Sequence, residues 1–246
     1  MFKNFYTEQA LNALVKNSEQ RRGWDFSKMN TLRQPVPWKY SEVVSLYLKT
    51  GDHVLDIGTG GGETFLKFSK LFEEGVGIDI DPEMINIAQE NGKITKNVSF
   101  YEDTEKLENT NDRFDVILNR HASFDLKAIS DHLKPNGYFI TQQVAENNMK
   151  NIKQVLNIRS EITISKEEIK ESGLNLIAFM EYNVEYVIRD VESFVFWLNA
   201  LDMLHADLPG GDVLNQVDLF NKMLEGNVDE RGFVTNEQRY LVIAQK

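Results

Sequence analysis

Four glycines interrupt an apolar run in VLDIGTGGGETFLKF, residues Val54 to Phe68, and an acid precedes them at Asp56. A strand, a glycine-rich turn and a helical restart together make the usual cradle of a nucleotide-type ligand. The residues after the glycines narrow the chemistry. A phosphate-binding P-loop needs Lys followed by Ser or Thr, and Glu63 and Thr64 stand there instead. A dinucleotide loop counted from Gly58 and Gly60 needs its third glycine where Glu63 lies, and a carboxylate there opposes a pyrophosphate dianion. Asp79 closes a second apolar run 23 positions beyond Asp56, and Asn119, Arg120 and His121 close a later one. His121 is the candidate general base, with ordering of its own loop as the plainer alternative. Arg120 offers a guanidinium that suits an anionic acceptor or a nearby acid such as Asp125.

These residues need a frame that brings strand ends together. Short apolar runs alternate with helical segments from Gly51 onward: strands are expected at 53–57, 75–79, 98–101, 114–118 and 137–143, with helices near 62–71, 82–91 and 124–133. This alternation implies an α/β fold with a doubly wound, mostly parallel sheet, and VLDI and DVIL read as central strands covered on both faces. A sixth strand is expected within 174–188 and a seventh at 239–245. Residues 190–236 between them form a helical insertion, read as a lid over the cleft, with a dimerisation surface as the alternative. Residues 1–50 precede the sheet as an N-terminal helical arm or cap, with Ser41 expected to cap a helix over 41–48, and 51–246 form the main domain.

Composition sets the outer limits. The chain has 246 residues, 41% of them hydrophobic, enough for one core with an elaboration. Cysteine is absent, and four scattered histidines show no metal-ligand spacing, so no metal is expected. No signal peptide or spanning segment is read in the chain, which makes a cytoplasmic protein with no membrane partner the expectation. The net charge of −11 argues against nucleic acid as a partner. Charge is uneven: residues 1–50 hold eight Lys/Arg and four Asp/Glu, whereas 173–246 hold five and twelve.

The pattern D-x-G-x-G-x-G, carried by Asp56, Gly58, Gly60 and Gly62, resembles that of class I S-adenosylmethionine-dependent methyltransferases. GVGIDIDPEMINIAQEN, NVSFYEDTEKL, RFDVILNRHASFD and LKPNGYFITQQV follow it in the family's order, with Asn136 in place of a glycine. The arm, with RGWDFS and PWKY, is similar to uncharacterised bacterial small-molecule members. The resemblance implies a Rossmann-like sheet of seven strands in the order 3-2-1-4-5-7-6 and S-adenosyl-L-methionine as cofactor, released as S-adenosyl-L-homocysteine. It places Asp56, Gly58, Thr59, Gly60 and Gly62 around the amino-acid and ribose end. It assigns Asp79 to the ribose hydroxyls, Ile80 and Met84 to the adenine face, Asp103 to the adenine amino group with Glu102 as the neighbouring alternative and Thr104 offering its backbone, and Asn119 to the cofactor side of the strand tip.

Methyl transfer is an in-line displacement, so the remaining task is to align an acceptor and exclude water. Trp24, Trp38 and Tyr40 in the arm, Arg120 at the strand tip and Trp197 in the insertion are the expected substrate-binding residues for a small-molecule acceptor. Phe194, Trp197 and Leu201 also carry the helical spacing of ordinary core. The expected assembly is a monomer or homodimer. The competing readings are an RNA methyltransferase and a non-catalytic binding protein that keeps the fold.

Overall fold

The computed structural model describes residues 1–18, 25–102, 113–157, 164–200 and 216–246. Among them are nine strands: β1 (Thr31–Arg33), β2 (His53–Ile57), β3 (Glu74–Asp79), β4 (Val98–Glu102), β5 (Phe114–Arg120), β6 (Leu133–Val144), β7 (Asn175–Ile188), β8 (Val228–Asp229) and β9 (Gly232–Gln245). Their order is β1-β7-β9-β6-β5-β2-β3-β4, with β8 paired to β9. The seven strands expected from the sequence stand in the expected order. The two additions, β1 and β8, are three and two residues long, too short for an alternating pattern to register. β9 begins at Gly232 instead of 239 because Val228 and Asp229 fold back on Phe233 and Gly232 as a hairpin, which shortens the helical insertion.

By contacts the chain divides into two compact units, one of Pro37–Ala145, Ile162–Tyr182 and Arg239–Lys246, the other of Met1–Val36, Glu146–Glu161 and Asn183–Gln238. In the first, β2 to β6 run parallel, so their carboxyl ends share one edge. Alternate residues feed two cores. Val54, Val116, Leu118, Ile140, Leu241 and Ile243 pack on one face, and Leu55, Ile117, Phe139, Tyr240 and Val242 on the other.

Among the described residues the α-helices are α1 (Glu8–Asn17), α2 (Tyr40–Ser45), α3 (Pro82–Gly92), α4 (Leu126–His132), α5 (Lys150–Leu156), α6 (Lys166–Glu171), α7 (Val191–Ala200) and α8 (Val217–Leu224). α3 starts where Asp81 accepts the Glu83 N–H and Pro82 supplies a preset φ, and α4 where Asp125 accepts the Ala128 N–H. Two expectations are corrected. α2 begins one residue before Ser41, with Lys39 as its cap residue and no capping side chain, so Ser41 lies inside the helix. The helix expected over 62–71 is a single 3-10 turn, Phe65–Phe68. The tighter winding brings Phe65 and Phe68 onto one buried face, and the ring of Phe65 stacks on Phe72 at 5.4 Å.

The second unit has its own aromatic core. Tyr6 meets Phe220 edge to face at 5.3 Å, and Phe194 packs on Phe233 at 4.5 Å and on Trp197 at 6.1 Å. Asn221 holds the backbone of Tyr6 at both its N–H and C=O, which fastens the N-terminal segment to α8. Trp197 is 6% exposed, so the helical spacing of α7 serves this core, as ordinary packing would have it.

Candidate cofactor and acceptor site

The glycine loop leaves β2 at Ile57 and is tied to β3 at once: the Gly58 and Thr59 N–H groups both donate to the Ile78 carbonyl, at 2.9 and 3.0 Å. Gly58, Gly60 and Gly62 all adopt left-handed φ, at 72°, 55° and 75°, where a side chain is strained. A Cβ on Gly58 would stand 2.2 Å from the Ala122 Cβ, and one on Gly62 would stand 2.8 Å from the Phe100 ring. The glycines therefore answer first to backbone geometry and protein packing, before any ligand approaches.

Asp79 ends β3 half-exposed. Its Oδ2 accepts the Gly60 N–H at 2.8 Å and its Oδ1 accepts the Asp81 N–H at 3.0 Å. Each oxygen has spent one lone pair on the backbone and keeps another, an arrangement that fits a pair of neighbouring hydroxyls such as a ribose diol. The loop, the acid and the strand edge thus fit the nucleoside end of S-adenosylmethionine.

Asp56 lies within β2 and is 8% exposed. Burial pushes its carboxyl up to about 7; the Thr59 hydroxyl and the Arg120 guanidinium work downward, and the charge of Asp79 works upward. Thr59 Oγ1 is itself buried and makes no hydrogen bond among the described residues, so it acts on Asp56 as a nearby dipole.

At the carboxyl end of β5 the structure gathers four of the expected residues. Tyr40 is buried and its hydroxyl donates to the Asn119 carbonyl at 3.3 Å; burial, then the charge of Asp56, keeps it protonated well above the usual tyrosine value. The Arg120 guanidinium lies 5.7 Å over the Tyr40 ring and donates to Thr64 Oγ1 at 3.4 Å. Its expected alternative partner, Asp125, is engaged instead in capping α4. Trp38 packs edge to face on Tyr182 at 4.8 Å, and its indole N–H donates to Gln142 Oε1 at 3.1 Å.

His121 follows in left-handed geometry, φ 59°, with its N–H donated to the Gln142 carbonyl. Crowding by surrounding protein, then Arg239 and Arg120, holds its pKa well below the ordinary histidine value. Because the residue is exposed to solvent, the two cations are the firmer cause.

Asn119 has a different task from the one expected. It has no exposed surface; its Nδ2 donates to the Ile57 carbonyl, and its Oδ1 accepts from the Thr141 hydroxyl at 3.0 Å and from the Gln143 amide. The side chain therefore latches β5 to β2 and β6. Ile80 is 75% exposed beyond Asp79, and Met84 is half-buried on α3. Asp103, Thr104, Trp24 and Leu201 lie outside the described residues, as do residues 201–215 of the lid expected over 190–236. Tyr182 and Arg239 were not singled out by sequence reasoning, since they arrive from β7 and β9 with no local motif. The Gln142–Gln143 pair was visible at a strand end, but its partners were not.

A methyltransferase-domain family model matches residues 48–173, and the chain belongs to this family of S-adenosylmethionine-dependent methyltransferase domains. It is 34% identical over 116 residues to the uncharacterized methyltransferase YcgJ of Bacillus subtilis, covering 40% of this chain and 45% of that protein. The crystal structure of YcgJ superposes with a TM-score of 0.59 at 17% identity, covering 84% of this chain and 97% of that one. The chain is also 28% identical over 152 residues to the ribosomal protein L11 methyltransferase of Dictyoglomus turgidum, covering 60% of this chain and 46% of that protein. It thus spans a little under half the length of these two sequence relatives. A methyltransferase from Thiobacillus denitrificans, solved with S-adenosyl-L-homocysteine, shares the fold with a TM-score of 0.53 at 15% identity, covering 87% and 93%.

Proposed function

We propose that the protein transfers the methyl group of S-adenosylmethionine to a small-molecule acceptor by in-line displacement. The observation that carries the reading is the bond from the Gly60 N–H to Asp79, which joins the glycine loop of β2 to the acid of β3 and leaves that acid with free acceptor capacity. When bound, S-adenosylmethionine supplies a methyl activated by its sulfonium. The chain's own residues do the rest: Asp79 accepts from the ribose, the left-handed glycines shape the bed, and buried Asp56 offers a carboxylate to a cationic amino-acid end. Trp38, Tyr40, Arg120 and His121 define the acceptor side, where alignment matters more than acid–base chemistry.

The test is calorimetric. S-adenosylhomocysteine binds, NAD does not, and Asp79→Ala weakens the binding at least about tenfold, the cost of two charge-assisted hydrogen bonds. Absence of S-adenosylhomocysteine binding by the wild-type chain would remove the enzyme reading. The similarity to ribosomal protein L11 methyltransferases favours a second reading, in which the acceptor is a protein. Radiolabelled methyl transfer to purified L11, against a metabolite extract filtered to exclude protein, separates the two.

A further inference from the structure

Two side-chain contacts at the acceptor side fix more than they first show. Trp38 Nε1–H can only donate, and it points at the side-chain oxygen of Gln142. The other end of that amide, Nε2, is therefore a donor, and it lies 3.4 Å from His121 Nε2. A ring nitrogen facing an amide NH2 has to present its lone pair, so the ring proton belongs on Nδ1. Gln142 is 6% exposed, and turning its amide over would set an NH2 against the Trp38 N–H, so the amide has little freedom to turn over. The charged groups acting on the ring, Arg120 and Arg239, are both cations and oppose a second proton.

Around His121 the site is receptive to negative charge although the chain as a whole carries −11. Among the described residues Arg120 is exposed and has no ion pair, its contacts being the Tyr40 ring and the Thr64 hydroxyl. His121 Nδ1 likewise makes no hydrogen bond with described residues.

We propose that Trp38 and Gln142 lock His121 as its neutral Nδ1–H tautomer, so that His121 donates, together with Arg120, to a carboxylate on the methyl acceptor instead of removing a proton from it. The proposal deepens the methyltransferase reading and rests on it for the acceptor. Trp38 and Gln142 are positioning residues, and the acceptor attacks with a lone pair it already carries.

Nitrogen-15 spectra of the histidine rings in the full-length protein read the tautomer without any turnover, with His121→Gln identifying the signals. A protonated Nδ1 and no titration between about pH 6 and 8 is the expected result. An Nε2–H tautomer, or titration at an ordinary histidine value, overturns the lock. Gln142→Glu, whose carboxylate accepts from both neighbours, should move the proton to Nε2 and raise the His121 pKa; an unchanged tautomer refutes the relay. Trp38→Phe gives a second route: it lets the Gln142 amide turn its oxygen toward the ring, so the Nε2–H tautomer should appear, and a tautomer still fixed at Nδ1–H refutes the role of Trp38.

The anion is probed with benzoate and benzylamine in the presence of S-adenosylhomocysteine. Benzoate should shift the His121 signals, and Arg120→Gln should weaken that response about tenfold. No benzoate response, or an equal one from benzylamine, defeats the carboxylate assignment. Failure of S-adenosylhomocysteine to bind defeats the methyltransferase reading while leaving the tautomer measurement valid.

Discussion

Asp56 shows how one side chain can bind pH to both stability and ligand affinity. Its carboxyl rises from 3.8 to about 7 on folding, so between these values the folded chain holds a proton that the unfolded chain has released. Stability from this group therefore declines as pH climbs from about 4 to about 7, by at most roughly 4 kcal/mol. Urea midpoints at pH 5 and 8 should show the decline in wild type and a flatter profile in Asp56→Asn. A cation bound beside Asp56 favours the ionised form, so S-adenosylmethionine should bind more tightly at pH 8 than at pH 6, and the asparagine variant should lose that preference. Calorimetry at the two pH values decides it.

At the scale of elements, the glycine loop and the caps carry the local energetics. Gly58→Ala combines left-handed φ with a Cβ 2.2 Å from that of Ala122, and Ala122 sits in the turn after β5. The substitution should destabilise the chain by roughly 1–3 kcal/mol, measured by urea unfolding, and displace the loop that holds Gly60 against Asp79. Asp125→Ala removes the cap of α4 and should cost about 1 kcal/mol without altering S-adenosylhomocysteine affinity, since Asp125 does not pair with Arg120. An affinity change in that variant would show that the two are coupled after all.

For the molecule as a whole, charge is the governing quantity. With 27 Lys/Arg against 38 Asp/Glu, the net charge of −11 opposes the approach of a polyanion. Filter binding to ribosomal RNA should show no steeply salt-dependent association at low ionic strength; a steep slope would revive an RNA acceptor. Within the unit built from Met1–Val36, Glu146–Glu161 and Asn183–Gln238, Phe194 is fully buried among Phe220, Trp197 and Phe233. Phe194→Ala should cost about 3–5 kcal/mol in a denaturant titration, the toll of an aromatic-sized cavity.

The sequence by itself determined the succession of the seven long strands along the chain, the glycine loop and the acid at the end of β3; the side-by-side order of those strands was an expectation of the family resemblance, which the sheet bears out. Each rests on a local signal: alternation of apolar runs, a residue with no Cβ where φ must be positive, a carboxylate where a strand stops. Asn136 belongs here too, since asparagine tolerates the φ of 66° it adopts within β6, beside the register shift between β5 and β6. Tertiary structure alone decided the rest. It reduced a predicted helix after the glycines to one 3-10 turn, with Phe65, Phe68 and Phe72 all buried in one cluster. It withdrew the side chain of Asn119 into the sheet, where Ile57, Thr141 and Gln143 use both of its polar ends. It set the proton on His121 through Trp38 and Gln142, which lie 83 positions before and 21 positions after that histidine in the chain. Hydrogen-bond direction depends on which atoms meet in space, and no spacing along the chain encodes it.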